Sequence, residues 1–73
     1  MNAVNCYQRL KRIDFFIRQK STGQPSDFAK RLKISRATLY RNLNDLRNMG
    51  AHIQYSKERM SFFYEEPFEL VFP

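Results

Sequence analysis

The sequence predicts one α+β domain in which three helices are followed by a β-hairpin. In residues 1–50, apolar side chains recur every three or four positions, which is the spacing of amphipathic helices. After Gly50 the period changes to two, which is typical of strands. A chain of 73 residues is long enough for one small hydrophobic core.

The charge is unevenly distributed along the chain. The net charge is +6, and residues 1–50 carry eleven Lys and Arg against three Asp, whereas residues 51–73 carry two against four Glu. A concentrated positive field on a small domain favours phosphate backbones or anionic lipid as partners. The chain has no secretory signal, no apolar run near the length of a membrane span and one cysteine, so we expect a cytoplasmic protein that does not enter a membrane.

The first predicted helix begins at a cap provided by Asn2 or Asn5 and ends near Gln19. Its predicted buried stripe consists of Ala3, Cys6, Leu10, Ile13 and Ile17. On this stripe, Cys6 is expected to be a buried structural thiol. Phe15 points away from the stripe, and two uses are expected for it, a contact with a partner or packing under the C-terminal tail.

The second predicted helix begins at Pro25, a residue favoured at the first helical position. Phe28, Ala29 and Leu32 are expected to face inward, and Lys30 and Arg31 outward. Lys33 follows where a glycine is common, and a positive φ there would cost about 1 kcal/mol.

The third predicted helix runs from the cap Ser35 to the terminating Gly50. One face carries the core residues Leu39, Leu43 and Leu46. The opposite face carries Ala37, Tyr40, Arg41, Asn44 and Asn48. Two helices joined by a short turn, the second beginning at a serine, form the helix-turn-helix arrangement.

The outer face of the third helix has the chemistry of a DNA reader. Arginine pairs with guanine O6 and N7, asparagine pairs with adenine N6 and N7, and alanine leaves room for a thymine methyl group. We therefore expect this helix to lie in the major groove of double-stranded DNA. An ordinary solvent-exposed helix is the alternative.

A hairpin is predicted after the third helix, with Ile53 and Tyr55 alternating with polar residues and an apolar run from Met60 to Tyr64. Its tip carries Lys57 and Arg59, which could reach a phosphate or the minor groove, unless the tip is only a solvated turn. Either Phe62 and Tyr64 or Phe63 should pack back on the helices.

The last seven residues, 67–73, form an apolar tail with the sequence PFELVFP. Three uses compete for it: a third strand on the hairpin, a clasp over the first helix, or a dimer contact. The domain proper is predicted to cover residues 1–66.

With these elements in place, the chain resembles the winged helix-turn-helix domain of DeoR-type and WYL-associated bacterial transcription regulators. The resemblance lies in RLKRIDFFI, FAKRLKIS, RATLYRNLNDLRNMG and HIQYSKERMSFFYE, and covers roughly residues 7 to 66. Family members have a glycine in the turn where this chain has Lys33, and a glycine pair in the wing where it has Met60 and Ser61.

The resemblance implies a winged helix-turn-helix fold in a bacterial, nucleoid-associated regulator. It implies that Arg36, Ala37, Tyr40 and Arg41 enter the major groove and that Ser26 and Thr38 lie near phosphates. With the chemistry above, the predicted base-reading residues are Arg36, Ala37, Tyr40, Arg41 and Asn44. The predicted phosphate-contacting residues are Ser26, Lys30, Arg31, Ser35, Thr38, Lys57 and Arg59.

Other functions find less support in the sequence. The chain has one His and one Cys, which are far apart in sequence, so neither a metal site nor a catalytic triad is supported. His52 is expected to be a surface or packing residue. A glycine-rich phosphate loop is not expected from two glycines. We therefore expect no enzyme activity, no cofactor and no metal. A homodimer through Phe15 and the tail is expected, because one small module seldom binds specifically alone.

The alternative function is a winged-helix protein-interaction module, such as an assembly factor or anti-repressor, that does not read DNA. Structured RNA is a less favoured ligand, because its major groove is too narrow for a helix.

Overall fold

In the part of the chain that the structure describes, three helices are followed by two strands. The computed structural model describes residues 3–71, with side chains from Cys6 onward. The elements are α1 (Ala3–Arg18), α2 (Pro25–Leu32), α3 (Arg36–Asn48), β1 (Ile53–Ser56) and β2 (Ser61–Tyr64). The strands are antiparallel, with Ile53 opposite Tyr64 and Ser56 opposite Ser61. The predicted α+β winged helix-turn-helix fold is confirmed.

All three helices end at a residue with a positive φ: Lys20 at 53°, Lys33 at 60° and Gly50 at 108°. After each of them, a backbone N–H donates to the carbonyl five residues earlier. These bonds are Ser21 to Phe16, Ile34 to Ala29, and Ala51 to Leu46, at 3.0–3.1 Å. This pattern is the Schellman motif, which satisfies carbonyls that a helix end leaves free. Lys33, which stands where a glycine is common, thus adopts the positive φ whose cost was considered from the sequence.

The core lies where the inner faces of the helices meet the hairpin. The fully or nearly buried apolar residues are Leu10, Ile13, Ile17, Phe28, Ala29, Leu32, Leu39, Leu43, Leu46, Ala51, Ile53 and Phe62. Phe28 is central, because its ring centroid lies 5.9 Å from that of Phe16 on α1 and 6.2 Å from that of Phe62 on β2. One side chain of α2 thus joins three elements of the fold.

The hairpin packs on the helices through Phe62 and Tyr64, the first of the two predicted alternatives. Phe62 is buried, and the Tyr64 hydroxyl donates to the Asp14 carboxylate of α1 at 2.6 Å. Burial and this hydrogen bond raise the pKa of Tyr64 above its ordinary value, so the phenol stays protonated and remains a donor. Arg18 donates to the other Asp14 oxygen at 2.9 Å.

The tail lies over α1 and the end of β2. The Arg18 guanidinium donates to the Phe68 carbonyl, and the Phe68 ring centroid lies 5.2 Å from that of Tyr64. Phe68 and Leu70 are half-buried against the core. Residues 67–71 form no strand, so the third-strand alternative is wrong for this segment, and the contact with α1 agrees with the alternative of a clasp. Residues 72–73 lie outside the described part, and the dimer contact stays a prediction.

The structure corrects the expected burial of Cys6 on α1 and leaves one of the two expected uses of Phe15. Cys6 is exposed and not a buried structural thiol, because the buried stripe of the described side chains begins only at Leu10, one helical turn later. Phe15 is 57% exposed, so the described tail residues do not cover it and a partner contact is its remaining predicted use. Asn5 lies inside α1, which begins at Ala3, so the alternative in which Asn5 caps this helix is wrong. Asn2 and the side chain of Ala3 lie outside what the structure describes.

Candidate nucleic-acid interface

The start of α3 is fixed by Ser35, as the sequence predicted. Its Oγ accepts from the Thr38 N–H at 3.1 Å, and its hydroxyl lies 3.0 Å from the Thr38 Oγ1, which accepts from it. With its oxygen accepting from Ser35, the Thr38 hydroxyl can donate outward to a ligand such as a phosphate oxygen. Ser35 therefore orients Thr38 as well as capping the helix.

The inner face of α3 is held in the core. Leu39, Leu43 and Leu46 have no exposed surface, as predicted. Sequence reasoning missed Asn42, which is 9% exposed and whose Oδ1 accepts from the Arg9 guanidinium of α1 at 3.5 Å. Its position, about 40° from Leu46 around the helix, was the available sign that Asn42 would be buried.

The outer face of α3 is open to solvent. Arg36 and the predicted face of Ala37, Tyr40, Arg41, Asn44 and Asn48 are all exposed. At 100° per residue, the predicted face spans an arc of about 100° opposite the leucines. The described tail contacts α1 and β2 and leaves these side chains uncovered. The structure therefore leaves Ala37, Tyr40, Arg41 and Asn44 on one accessible face of α3, while Arg36, also exposed, lies about 40° outside this arc.

Asn44 is oriented by a residue that the sequence analysis did not assign. Arg47 donates to the Asn44 Oδ1 at 3.1 Å and to the Ile53 carbonyl of β1 at 3.2 Å. The Asn44 amide nitrogen keeps its donors, and its oxygen keeps a second lone pair. Arg47 thus holds the Asn44 side chain in place while leaving it a donor and an acceptor for a ligand.

The predicted phosphate-contacting residues differ in how they are held. Lys30, Lys57 and Arg59 are exposed, while Ser26 is half-buried. Arg31 is exposed but already engaged, since its guanidinium donates to the Ser21 carbonyl at 2.7 Å and lies 6.0 Å from the Phe16 ring centroid. We therefore expect Arg31 to hold α2 to the preceding loop more than it attracts phosphate.

The hairpin is anchored to the loop between α1 and α2 by two buried hydroxyl residues. Thr22 and Ser61 are 0% and 1% exposed. The Thr22 N–H donates to the Ser61 Oγ at 3.1 Å, and the Phe62 N–H donates to the Thr22 Oγ1 at 3.0 Å. No local pattern indicates this pair, because serine and threonine in a loop and at a strand end are ordinarily solvated.

The tip of the hairpin lies beside the start of α2. The Gln24 amide nitrogen, on the residue before α2, lies 3.9 Å from the Met60 sulfur at the tip. The Arg59 N–H donates to the Ser56 Oγ at 3.2 Å and closes the turn. The turn that carries Lys57 and Arg59 is thus brought next to the first turn of α2, which contains Ser26.

The buried link between Thr22 and Ser61 should contribute measurably to stability. Replacing Thr22 by Val removes the acceptor of the buried Phe62 N–H, and we expect the free energy of unfolding to fall by about 1–3 kcal/mol. Urea unfolding followed by circular dichroism measures this change. Ser21→Ala, in the same loop but exposed, should change it by less than about 0.5 kcal/mol. Equal stabilities of the two variants would contradict the assigned role.

The described residues include neither a cluster of metal ligands nor a helix that could span a membrane. Within the described residues, no three His, Cys, Asp or Glu side chains are grouped as metal ligands would be. No described helix is both long and apolar enough to cross a bilayer.

Comparison with known proteins gives one match. A family model described as an HTH domain matches residues 9–59, from within α1 to the hairpin tip. Searches of curated proteins and of solved structures found no match. Since the matched region covers more than half of the chain and contains α2 and α3, the chain belongs to the helix-turn-helix domain family, a family of the DNA-binding type.

Proposed function

We propose that this protein binds double-stranded DNA sequence-specifically and acts as a small bacterial transcription regulator of the DeoR or WYL-associated type. The observation that carries the proposal is the outer face of α3, where Ala37, Tyr40, Arg41 and Asn44 lie exposed opposite three buried leucines. In this proposal α3 lies in the major groove, and α1 and α2 brace it. No catalytic role is assigned.

The work of recognition is divided between two sets of residues. Arg36, Tyr40, Arg41 and Asn44 discriminate between base pairs, with Arg41 suited to guanine and Asn44 to adenine, while Ala37 permits close approach. The remaining contacts are with phosphates and position the protein without reading sequence. These contacts come from Ser26, Lys30, Ser35, Thr38, Lys57, Arg59 and, to a smaller extent, Arg31.

The proposal includes a homodimer on a palindromic site, because a single module of this size gives limited specificity. Phe15 is 57% exposed and Val71 is 67% exposed, which supports a partner contact through α1 and the tail. In such a dimer each copy places its own α3 in the groove, one helical turn from the other.

Selection of bound duplexes from a random DNA pool at fixed salt tests the proposal. A recurring motif is the expected result, and a palindromic motif would support the dimer. Recovery of a single half-site would argue against the dimer but retain DNA reading. If no sequence is enriched over several rounds, the protein does not read DNA, and the protein-interaction alternative gains.

Arg41 should carry a large share of the discrimination. Arg41→Ala is expected to reduce the preference for the selected base by about 1–3 kcal/mol, since it removes a two-bond contact with guanine. Competition between specific and scrambled duplexes measures the ratio of affinities. Arg12→Ala, which removes an exposed arginine of α1, should leave that ratio unchanged. An unchanged ratio in Arg41→Ala would remove Arg41 from base readout.

A further inference from the structure

Met60, at the end of the hairpin turn, combines two unfavourable features. Its φ is 51°, a left-handed conformation in which a side chain is strained and glycine is not. Its side chain is also 53% exposed. Lys20 and Lys33 have a similar φ, but they end helices, and their amines are solvated. Met60 exposes an apolar thioether chain instead.

Packing within the protein does not explain Met60. The polar contact that the structure shows for its sulfur is the Gln24 amide nitrogen at 3.9 Å, and thioether sulfur is a weak acceptor. Residues other than glycine that are held at a positive φ cluster at functional sites, which makes Met60 a candidate contact residue. A glycine there would relieve the strain and remove the exposed apolar surface.

The surroundings of Met60 fit a nucleic acid. The same turn carries two exposed cations, Lys57 and Arg59, and one exposed anion, Glu58, so its net positive charge favours phosphates. The next residue, Ser61, is 1% exposed and hydrogen-bonded to Thr22. Met60 therefore projects from a turn whose base is fixed, while its unbranched side chain can adapt to an irregular surface.

We propose that Met60 is an apolar wedge that enters the DNA minor groove next to the major-groove site of α3 and partly separates two stacked base pairs. This inference rests on the proposed DNA binding. It adds a contact whose strength depends on how easily the DNA is deformed at the base-pair step that Met60 enters. Met60 inserts between the base pairs, and Lys57 and Arg59 hold the flanking phosphates. Minor-groove proteins use apolar side chains, methionine included, in this way. Flexible pyrimidine–purine steps are therefore favoured at that position.

Two variants of Met60 separate the wedge from a structural role. Met60→Gly removes the side chain and the strain, whereas Met60→Gln keeps the length and the strain but is polar. Both should bind a duplex recovered by the selection about tenfold more weakly than the wild-type protein, a loss of about 1.4 kcal/mol. Their salt dependence should be unchanged, and only Met60→Gly should show a Tm raised by a few degrees.

A fluorescent reporter measures the separation of base pairs directly. The adenine analogue aminopurine brightens when it is unstacked, and duplexes carrying it at successive steps beside the readout site should brighten with the wild-type protein at one step. Neither Met60 variant should produce this signal. Arg12→Ala is the control, because it removes an exposed arginine of α1 outside the proposed interface and should keep the signal.

Each contrary result has a distinct meaning. Wild-type affinity in both Met60 variants, or no brightening at any step, would overturn the wedge while DNA binding stands. A lowered Tm in Met60→Gly would show that Met60 supports the fold, and this result would also overturn the wedge proposal. If the wild-type protein binds none of the duplexes in the pool, the proposed function fails and the wedge fails with it.

Discussion

Raising the salt concentration from about 50 to about 200 mM is expected to weaken binding to duplex DNA by roughly 10²–10³-fold. About four to six phosphate contacts are proposed, and each releases counterions from the duplex. The logarithm of the binding constant should therefore fall against the logarithm of salt concentration with a slope of roughly −4 to −5. Fluorescence anisotropy with a labelled duplex, titrated at several salt concentrations, measures this slope.

The exposed cations of the hairpin tip provide the matched comparison. A variant with Lys57→Gln and Arg59→Gln should show a slope shallower by about 2, since each cation accounts for about 1. Arg31→Gln should change the slope less than the loss of Lys57 or of Arg59, because the Arg31 guanidinium already donates to the Ser21 carbonyl. A loss of less than tenfold in the wild-type protein over this salt range would contradict the phosphate contacts.

Replacing Phe28 by Ala is expected to lower the free energy of unfolding by about 3–5 kcal/mol. The ring has no exposed surface and packs between Phe16 and Phe62, so its removal opens a cavity where α1, α2 and β2 meet. A domain of this length has a stability of roughly 4–11 kcal/mol, so much of the variant should be unfolded under mild conditions. Thermal and urea unfolding followed by circular dichroism test this.

Phe15→Ala is the control for the loss of a phenylalanine. Phe15 is 57% exposed, so its removal should change the stability of the monomer by less than about 0.5 kcal/mol. Phe28→Ala should lose DNA binding together with its helical signal, since α3 depends on the same core. Similar stabilities in the two variants would mean that Phe28 is not the central packing residue.

Features that depend on neighbouring residues were predictable from the sequence. The leucine face of α3, its cap Ser35 and the start of α2 at Pro25 follow from periodicity and from the chemistry of helix ends, which act within one or two turns. Lys33 was recognised as a turn position where a glycine is common, and its φ is positive. The accessible face of α3 was predictable for the same reason, because it lies opposite the buried one.

Features that depend on distant residues were not predictable in this way. The Thr22 and Ser61 hydroxyls are 39 positions apart, and no local pattern marks their pairing. Cys6 continues the spacing of the buried stripe but lies beyond the described core, so periodicity placed it wrongly. The tail had three uses with equal local support, and the Arg18 bond to the Phe68 carbonyl, across 50 positions, distinguishes the clasp.

In the proposed complex, the hydrogen bonds between the hairpin and the Thr22 loop also constrain the shape of the DNA. Because the hairpin is fastened to the loop that leads into α2, the separation between the hairpin tip and the reading helix is set before a duplex arrives. In the proposed complex, a hairpin held in this way resists movement away from α2, and the duplex adapts by bending or by changing its groove width. Sequences that deform easily would then be favoured even at base pairs that no side chain touches.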